Sequence, residues 1–213
     1  MDYLVTSIEE IKHSYTNKKK LVYINYEPAF ALYNKELKTY SVKENETISE
    51  QDYSNIVQML SKRATVRAMN LLKSKDYTKK ELVSKLELSY YPEKSIHDAL
   101  AYVEHYGYIN DERYAQNYIS FKANKKSRKQ IEQSLKEKGI DFDIIENTLE
   151  AYYGDSSECE INLIISTLKK KYGTILIEEL DYKQKQKMMA YMYRKGFSMD
   201  TIRKAIDVFL DNI

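Results

Sequence analysis

The chain has 213 residues, 43% hydrophobic and 31% charged, with only 5 glycines and 2 prolines; this balance favours long polar-faced helices over a loop-rich β fold and leaves one domain or several small modules open. A formal net charge of +2 rules out a polycation that coats nucleic acid by bulk charge, so any such contact has to come from local patches. No run of about 18 apolar residues is present to span a bilayer, the first residues lack the pattern of a signal peptide, and Cys159 is the sole cysteine, so the expectation is a cytoplasmic protein with no membrane contact and no intrachain disulfide.

The first segment differs from the rest. Residues 21–26 (LVYINY) and 29–33 (AFALY) are rich in aromatic and β-branched types and are separated by Glu27-Pro28, which predicts a hairpin turning at that pair. Residues 8–14 are a candidate third strand. Ser49, three residues before Asp52, predicts a capped helix running through roughly Leu60. From there onward the pattern is helical throughout.

Those helices repeat. A gapless shift of 49 places Thr78 on Ser127, Glu81 on Gln130, Leu82 on Ile131, Leu86 on Leu135, Ile96 on Ile145 and Leu100 on Leu149. A further shift of 57 takes Ile131 to Met188, Leu135 to Met192, Gly139 to Gly196, Ile145 to Ile202, Leu149 to Ile206 and Tyr152 to Phe209. Caps fall on caps and apolar positions on apolar positions. The fold class expected is therefore mainly α: three tandem three-helix repeats forming an elongated, curved body, with a small hairpin-containing N-terminal extension. The boundaries expected are a β-rich extension over 1–48, a connecting helix over 49–61, and repeats over 62–108, 109–155 and 156–213.

Gly107, Gly139, Gly154, Gly173 and Gly196 each follow an amphipathic run, where a left-handed residue stops a helix. Asn110 is the expected cap of the next helix, with Asp111 and Glu112 in its first turn, where exposed amides favour negative charge. That reading competes with an acidic active site and prevails over it. With every glycine so used, none is left for a phosphate-cradling loop. His13, His97 and His105 lack zinc-site spacing, and Cys159 has no histidine close in sequence. No enzyme activity, metal or cofactor is expected.

Cations recur at the start of each repeat's second helix: Lys79 and Lys80, Arg128 and Lys129, and Lys185 and Lys187. A cation there opposes the helix dipole, which invites a functional reason; the competing reading is an ordinary lysine-rich surface. Residues 122–139 hold seven cations (Lys122, Lys125, Lys126, Arg128, Lys129, Lys136 and Lys138) against Glu132 and Glu137, a local balance of +5. Such a patch suits a phosphate backbone or an acidic protein groove. Most of the 21 tyrosines are expected to pack rather than stack on bases.

The segments GYINDERYA at 107–115, SRKQI at 127–131 with Gly139, and KQK at 185–187 followed by RKGFS at 194–198 resemble the RecX regulatory proteins of bacteria. The likeness covers about residues 62 to 211, and the strand-bearing extension is similar to that of members from low-GC Gram-positive bacteria. What the resemblance implies is a modulator, usually inhibitory, of the RecA recombinase. Such a protein lies in the groove of the RecA filament on single-stranded DNA and interferes with ATP hydrolysis, strand exchange and LexA co-cleavage. The cations above, with Arg194 and Lys195, are then the expected contacts to filament or DNA, and binding to bare DNA is expected to be weak. A monomer is expected. The rival classes are a helical scaffold for some protein partner without DNA, and a hydrolase using Cys159 or carboxylates from different repeats.

Overall fold

The structure, a computed structural model, describes residues 3–11, 19–154, 157–172 and 182–211. It divides into two units, Met1–Asn110 and Asp111–Ile213. The first opens with strands β1 (Tyr3–Glu10), β2 (Lys19–Ile24) and β3 (Glu27–Tyr33), then helix α1 (Asn34–Thr39) and the two-residue strand β4 (Thr47–Ile48). The sheet is antiparallel, in the order β3-β2-β1-β4.

The hairpin turns one step earlier than expected. Ile24 pairs with Glu27, so the turn is Asn25-Tyr26, both at positive φ, the conformation that lets a two-residue turn follow the strand twist. Glu27 and Pro28 already belong to β3, and the register slips between Val22 and Tyr23. The third strand also lies earlier than expected, over Tyr3–Glu10; residues 12–18, including His13, fall outside those described. Donors on edge strand β3, and on the part of β1 that the two-residue β4 leaves uncovered, are satisfied from elsewhere, which blunts pairing with another chain. On β3, the Ala31 N–H donates to the Tyr90 carbonyl at 3.3 Å and the Tyr33 N–H to Glu36 Oε2 at 2.8 Å; on β1, the Ile8 N–H donates to Glu44 Oε1 at 2.8 Å.

Ser49 caps α2 by accepting from the Asp52 N–H, as its spacing predicts. The helix does not close near Leu60: α2 runs unbroken over Glu50–Leu72, because residues 60–63 contain neither Gly nor Pro to stop it. Its buried stripe, Ile56, Leu60, Ala64 and Ala68, recurs every four residues along one face. Helices α3 (Lys79–Glu87) and α4 (Glu93–His105) complete this unit. Strand residues Val5, Val22, Phe30 and Leu32 share one hydrophobic cluster with the α2 stripe, Leu82, Leu86, Ala99 and Val103. Tyr3 of β1 stacks on Tyr53 of α2 with ring centroids 3.9 Å apart, and Ser95 Oγ donates to the Val57 carbonyl at 3.2 Å to join α4 to α2.

The second unit consists of α5 (Asp111–Lys122), α6 (Arg128–Glu137), α7 (Phe142–Tyr153), α8 (Glu158–Tyr172), α9 (Tyr182–Arg194) and α10 (Met199–Asp211). Its two cores are separate: Ala115, Ile119, Ile131, Leu135, Ile145 and Leu149 in one, and Ile164, Leu168, Met188, Met192, Ile202 and Ile206 in the other. The apolar positions superposed by the offsets of 49 and 57 are thus core positions. One differs: Tyr153 is buried, whereas Tyr152, which the offset aligned with Phe209, is exposed. Asp111 and Glu112 stand in the first turn of α5.

The turns that end the second helix of each repeat agree in backbone although the first has no glycine. Tyr90 adopts φ +57° where Gly139 and Gly196 have +77° and +86°. Its carbonyl is the acceptor for Ala31, so the sheet holds a conformation that costs a non-glycine residue about 1–2 kcal/mol. Gly173 lies outside the described residues.

Candidate nucleic-acid interface

Capping boxes start the second helices of the first two repeats. Thr78 accepts from the Glu81 N–H at 3.2 Å and Ser127 from the Gln130 N–H at 3.3 Å, and each N3 side chain answers the cap's own N–H. The cations that follow are less anomalous than the local sequence implies, because acids arrive from other helices. Lys79 Nζ lies 2.7 Å from Glu104 on α4, Arg128 Nη2 lies 3.1 Å from Glu150 on α7, and Lys185 Nζ lies 3.7 Å from Asp207 on α10. In each repeat a cation near the start of the second helix thus ties it to the third. The Arg128 N–H donates to Glu160 Oε1 of α8 at 2.8 Å, placing at the α6 N-terminus the negative charge its own first turn lacks.

The third pair of cations was misplaced by the offset. Helix α9 is already helical at Tyr182, so Lys185 and Lys187 stand beyond its first turn. Lys80, Lys129 and Lys187 are exposed. Arg194 ends α9, also exposed. Lys195 follows it, with Nζ 5.3 Å from the Tyr191 ring centroid and its carbonyl accepting from Ser127 Oγ at 2.8 Å. Tyr191 is approached from another element by Lys171 at 3.5 Å.

The densest group lies on α5, the turn after it, and α6. Tyr114, Tyr118 and Phe121 are spaced four and three apart, so they share one face of α5. Phe121 is 64% exposed, with Lys122 Nζ 4.8 Å and Lys125 Nζ 5.0 Å from its ring centroid. Lys126 donates to Tyr118 Oη at 3.3 Å and Ser134 Oγ at 2.8 Å, while Lys138 Nζ lies 5.4 Å from the Tyr114 ring centroid. Burial alone would push the Tyr118 phenol up, but hydrogen bonds to Ser134 and Lys126 and the charges of Lys126 and Lys122 hold it below its usual value. Lys136 is engaged separately, by Glu132 at 2.5 Å and the Phe142 ring at 5.3 Å.

The structure therefore brings Lys122, Lys125 and Lys126 together, and leaves Lys79, Lys80, Lys185 and Lys187 on other elements. The aromatic partners were missed by the sequence reading, although the spacing of Tyr114, Tyr118 and Phe121 carried the signal. Cations beside one exposed ring, that of Phe121, suit a single-stranded nucleic acid, whose phosphates and unstacked bases present charge and π surface together. Among the described residues no group of His, Cys, Asp or Glu is arranged to hold a metal ion, and no helix is long and apolar enough to cross a membrane. Cys159, His97 and His105 are exposed.

Three tandem three-helix units, with a cationic and aromatic face on the middle one, define a helical-repeat protein. Residues 110–149 match the model of the RecX second three-helix domain and residues 158–206 that of the RecX third three-helix domain. The regulatory protein RecX of Caldanaerobacter subterraneus subsp. tengcongensis is 30% identical over 189 residues, covering 88% of this chain and 91% of that protein. That of Clostridium acetobutylicum is 27% identical, covering 90% of each. The crystal structure of RecX from Lactobacillus salivarius superposes with a TM-score of 0.64 at 25% identity, over 73% of this chain and 99% of that one. A second crystal structure of regulatory protein RecX gives 0.63 at 21% identity, over 97% and 100%. The chain belongs to the RecX family.

Proposed function

We propose that this protein binds the RecA filament on single-stranded DNA and modulates, mostly by inhibition, its ATPase, strand-exchange and co-protease activities in recombination and DNA repair. Family membership supports the partner; the observation that carries the nucleic-acid part is exposed Phe121 between Lys122 and Lys125, beside the Lys126–Tyr118 pair. In this reading Lys122, Lys125, Lys126, Lys129 and Lys136 meet phosphate or acidic filament surface in the middle repeat. Lys79, Lys80, Arg128, Lys185, Lys187, Arg194 and Lys195 extend the contact, those with internal ion pairs contributing less. No bond of the substrate is made or broken by this chain, and no cofactor takes part. It acts in the cytoplasm as a monomer.

The test is RecA ATPase on single-stranded DNA titrated with the protein across a salt series. Inhibition that saturates and weakens with salt is the expected result, because exposed charge contacts are screened. A protein that binds neither filament nor oligonucleotide would instead fit the scaffold reading.

A further inference from the structure

The first unit contains a second cationic group with a deficit of negative charge. Lys19 opens β2, while Arg63 and Arg67 lie one turn apart on α2. Glu36 of α1 is the one carboxylate among the charged groups acting on Lys19, the others being Arg63 and Arg67. Glu36 is already engaged twice, one oxygen by the Arg63 guanidinium and the other by the Tyr33 N–H. Arg63 Nη1 is buried and has no hydrogen-bond partner. Lys19 Nζ lies over two rings, 5.0 Å from the Tyr33 centroid and 5.7 Å from that of Tyr91, and Arg63 lies 5.0 Å from the same Tyr33 ring. Three cations and one fully used carboxylate leave about two positive charges uncompensated, at a place where Lys19 is half-buried. Packing alone gives no reason to gather them, since partly buried like charges repel.

We infer that Lys19, Arg63 and Arg67 form an anion site for a phosphate group, walled by Tyr33 and Tyr91. The chemistry matches: a guanidinium with Nη2 on Glu36 and Nη1 without a partner has donor capacity left for phosphate oxygens, and an ammonium beside it supplies a point charge. Burial and the neighbouring arginines hold the Lys19 ammonium below its usual pKa, the strain an incoming anion would relieve. The site lies in the first unit and stands on different residues from the α5–α6 face, so it does not depend on the RecA reading. The phosphate comes either from a free phosphate or pyrophosphate or from a nucleic-acid backbone.

Isothermal titration of the full-length protein with inorganic phosphate, pyrophosphate and a short thymidine oligonucleotide, at constant ionic strength set with glutamate, separates these sources. Saturable phosphate or pyrophosphate binding is expected, weakened about tenfold or more by Lys19→Gln or Arg67→Gln. It is kept by Lys19→Arg and by Lys129→Gln. If the backbone is the source, oligonucleotide displaces pyrophosphate and itself binds less well to the Lys19→Gln/Arg67→Gln double variant; if a free anion is, oligonucleotide leaves pyrophosphate in place. Absence of saturation above the glutamate background in the wild type overturns the assignment. So does undiminished binding by the double variant, or equal loss in Lys19→Arg and Lys19→Gln, which would mark a packing role.

Discussion

Gly196 carries two constraints at once. Its φ is +86°, and a Cβ built there would stand 3.0 Å from Ser127 Oγ, the cap that also donates to the Lys195 carbonyl. Gly107 has φ +65° but nothing within 4 Å of such a Cβ. Gly107→Ala should therefore cost only the left-handed backbone penalty, about 1–2 kcal/mol, while Gly196→Ala should cost that plus about 1 kcal/mol for a displaced cap. Chemical denaturation of the two variants measures the difference; equal losses would mean the turn does not seat on the cap. Tyr153 offers the opposite sign. Its hydroxyl is buried without a hydrogen-bond partner, so Tyr153→Phe should leave stability unchanged or raise it by about 1 kcal/mol. Burial, then Glu160, Tyr152 and Cys159, raises the Tyr153 pKa despite Arg128. A raised phenol pKa means the unfolded chain loses its proton first, so this residue's contribution holds below about pH 10 and declines above it. Thermal unfolding of the wild type should fall more steeply above that pH than unfolding of Tyr153→Phe. At this scale the stops at Gly107, Gly139, Gly154 and Gly196 were legible from their places after apolar runs. The Asn25-Tyr26 turn was not: Pro28 looked like a turn residue, and only the pairing of Ile24 with Glu27 reveals it inside a strand.

Between helices, Ser127 and Arg128 knit the middle repeat to the last. Glu160 accepts from the Arg128 N–H and so supplies a negative end for α6, which has no acid in its first turn. Replacing Glu160 by Gln keeps the acceptor and removes the charge; the expected loss is about 0.3–1 kcal/mol, smaller at high salt. Arg128 and Lys129 now separate as targets. Arg128→Glu would set a third carboxylate beside Glu150 and Glu160 and should destabilise. Lys129→Glu, at an exposed second position, should preserve stability or raise it by up to about 1 kcal/mol while weakening binding to filament or oligonucleotide. Thermal unfolding and RecA ATPase inhibition on one preparation read both effects; full inhibition by Lys129→Glu at low salt would remove that lysine from the contact. The capping boxes at Thr78 and Ser127 could be read from spacing alone, because cap and responder are three residues apart. The partners of Lys79, Arg128 and Lys185 could not, since their acids lie 22 to 25 positions onward on another helix.

Across the whole chain, charge is distributed so that an overall balance of +2 conceals a basic segment at residues 122–139, with a local balance of +5. Phe121→Ala should reduce affinity for a thymidine oligonucleotide by about 1–3 kcal/mol, and Phe121→Trp should retain it, if a base stacks there. Fluorescence anisotropy with normal and abasic oligonucleotides checks this, since stacking requires the base whereas charge contacts do not. The repeats and the boundary between strands and helices were legible because period and caps recur. The union of the sheet with α2, α3 and α4 was not, because a continuous α2 depends on the absence of any breaker rather than on a signal.

That continuity has a mechanical side. At 1.5 Å per residue, α2 is a strut about 35 Å long, with its N-terminal half against β1 through Tyr53 and its Ala64 and Ala68 in the shared cluster with α4. Arg63 and Arg67 project from the same rod, so an anion drawing Lys19 toward them would load the strand and the strut together. A pulling force applied at the N-terminus should meet the sheet and helices α2, α3 and α4 as a single stiff element, yielding in one rupture rather than peeling strand by strand.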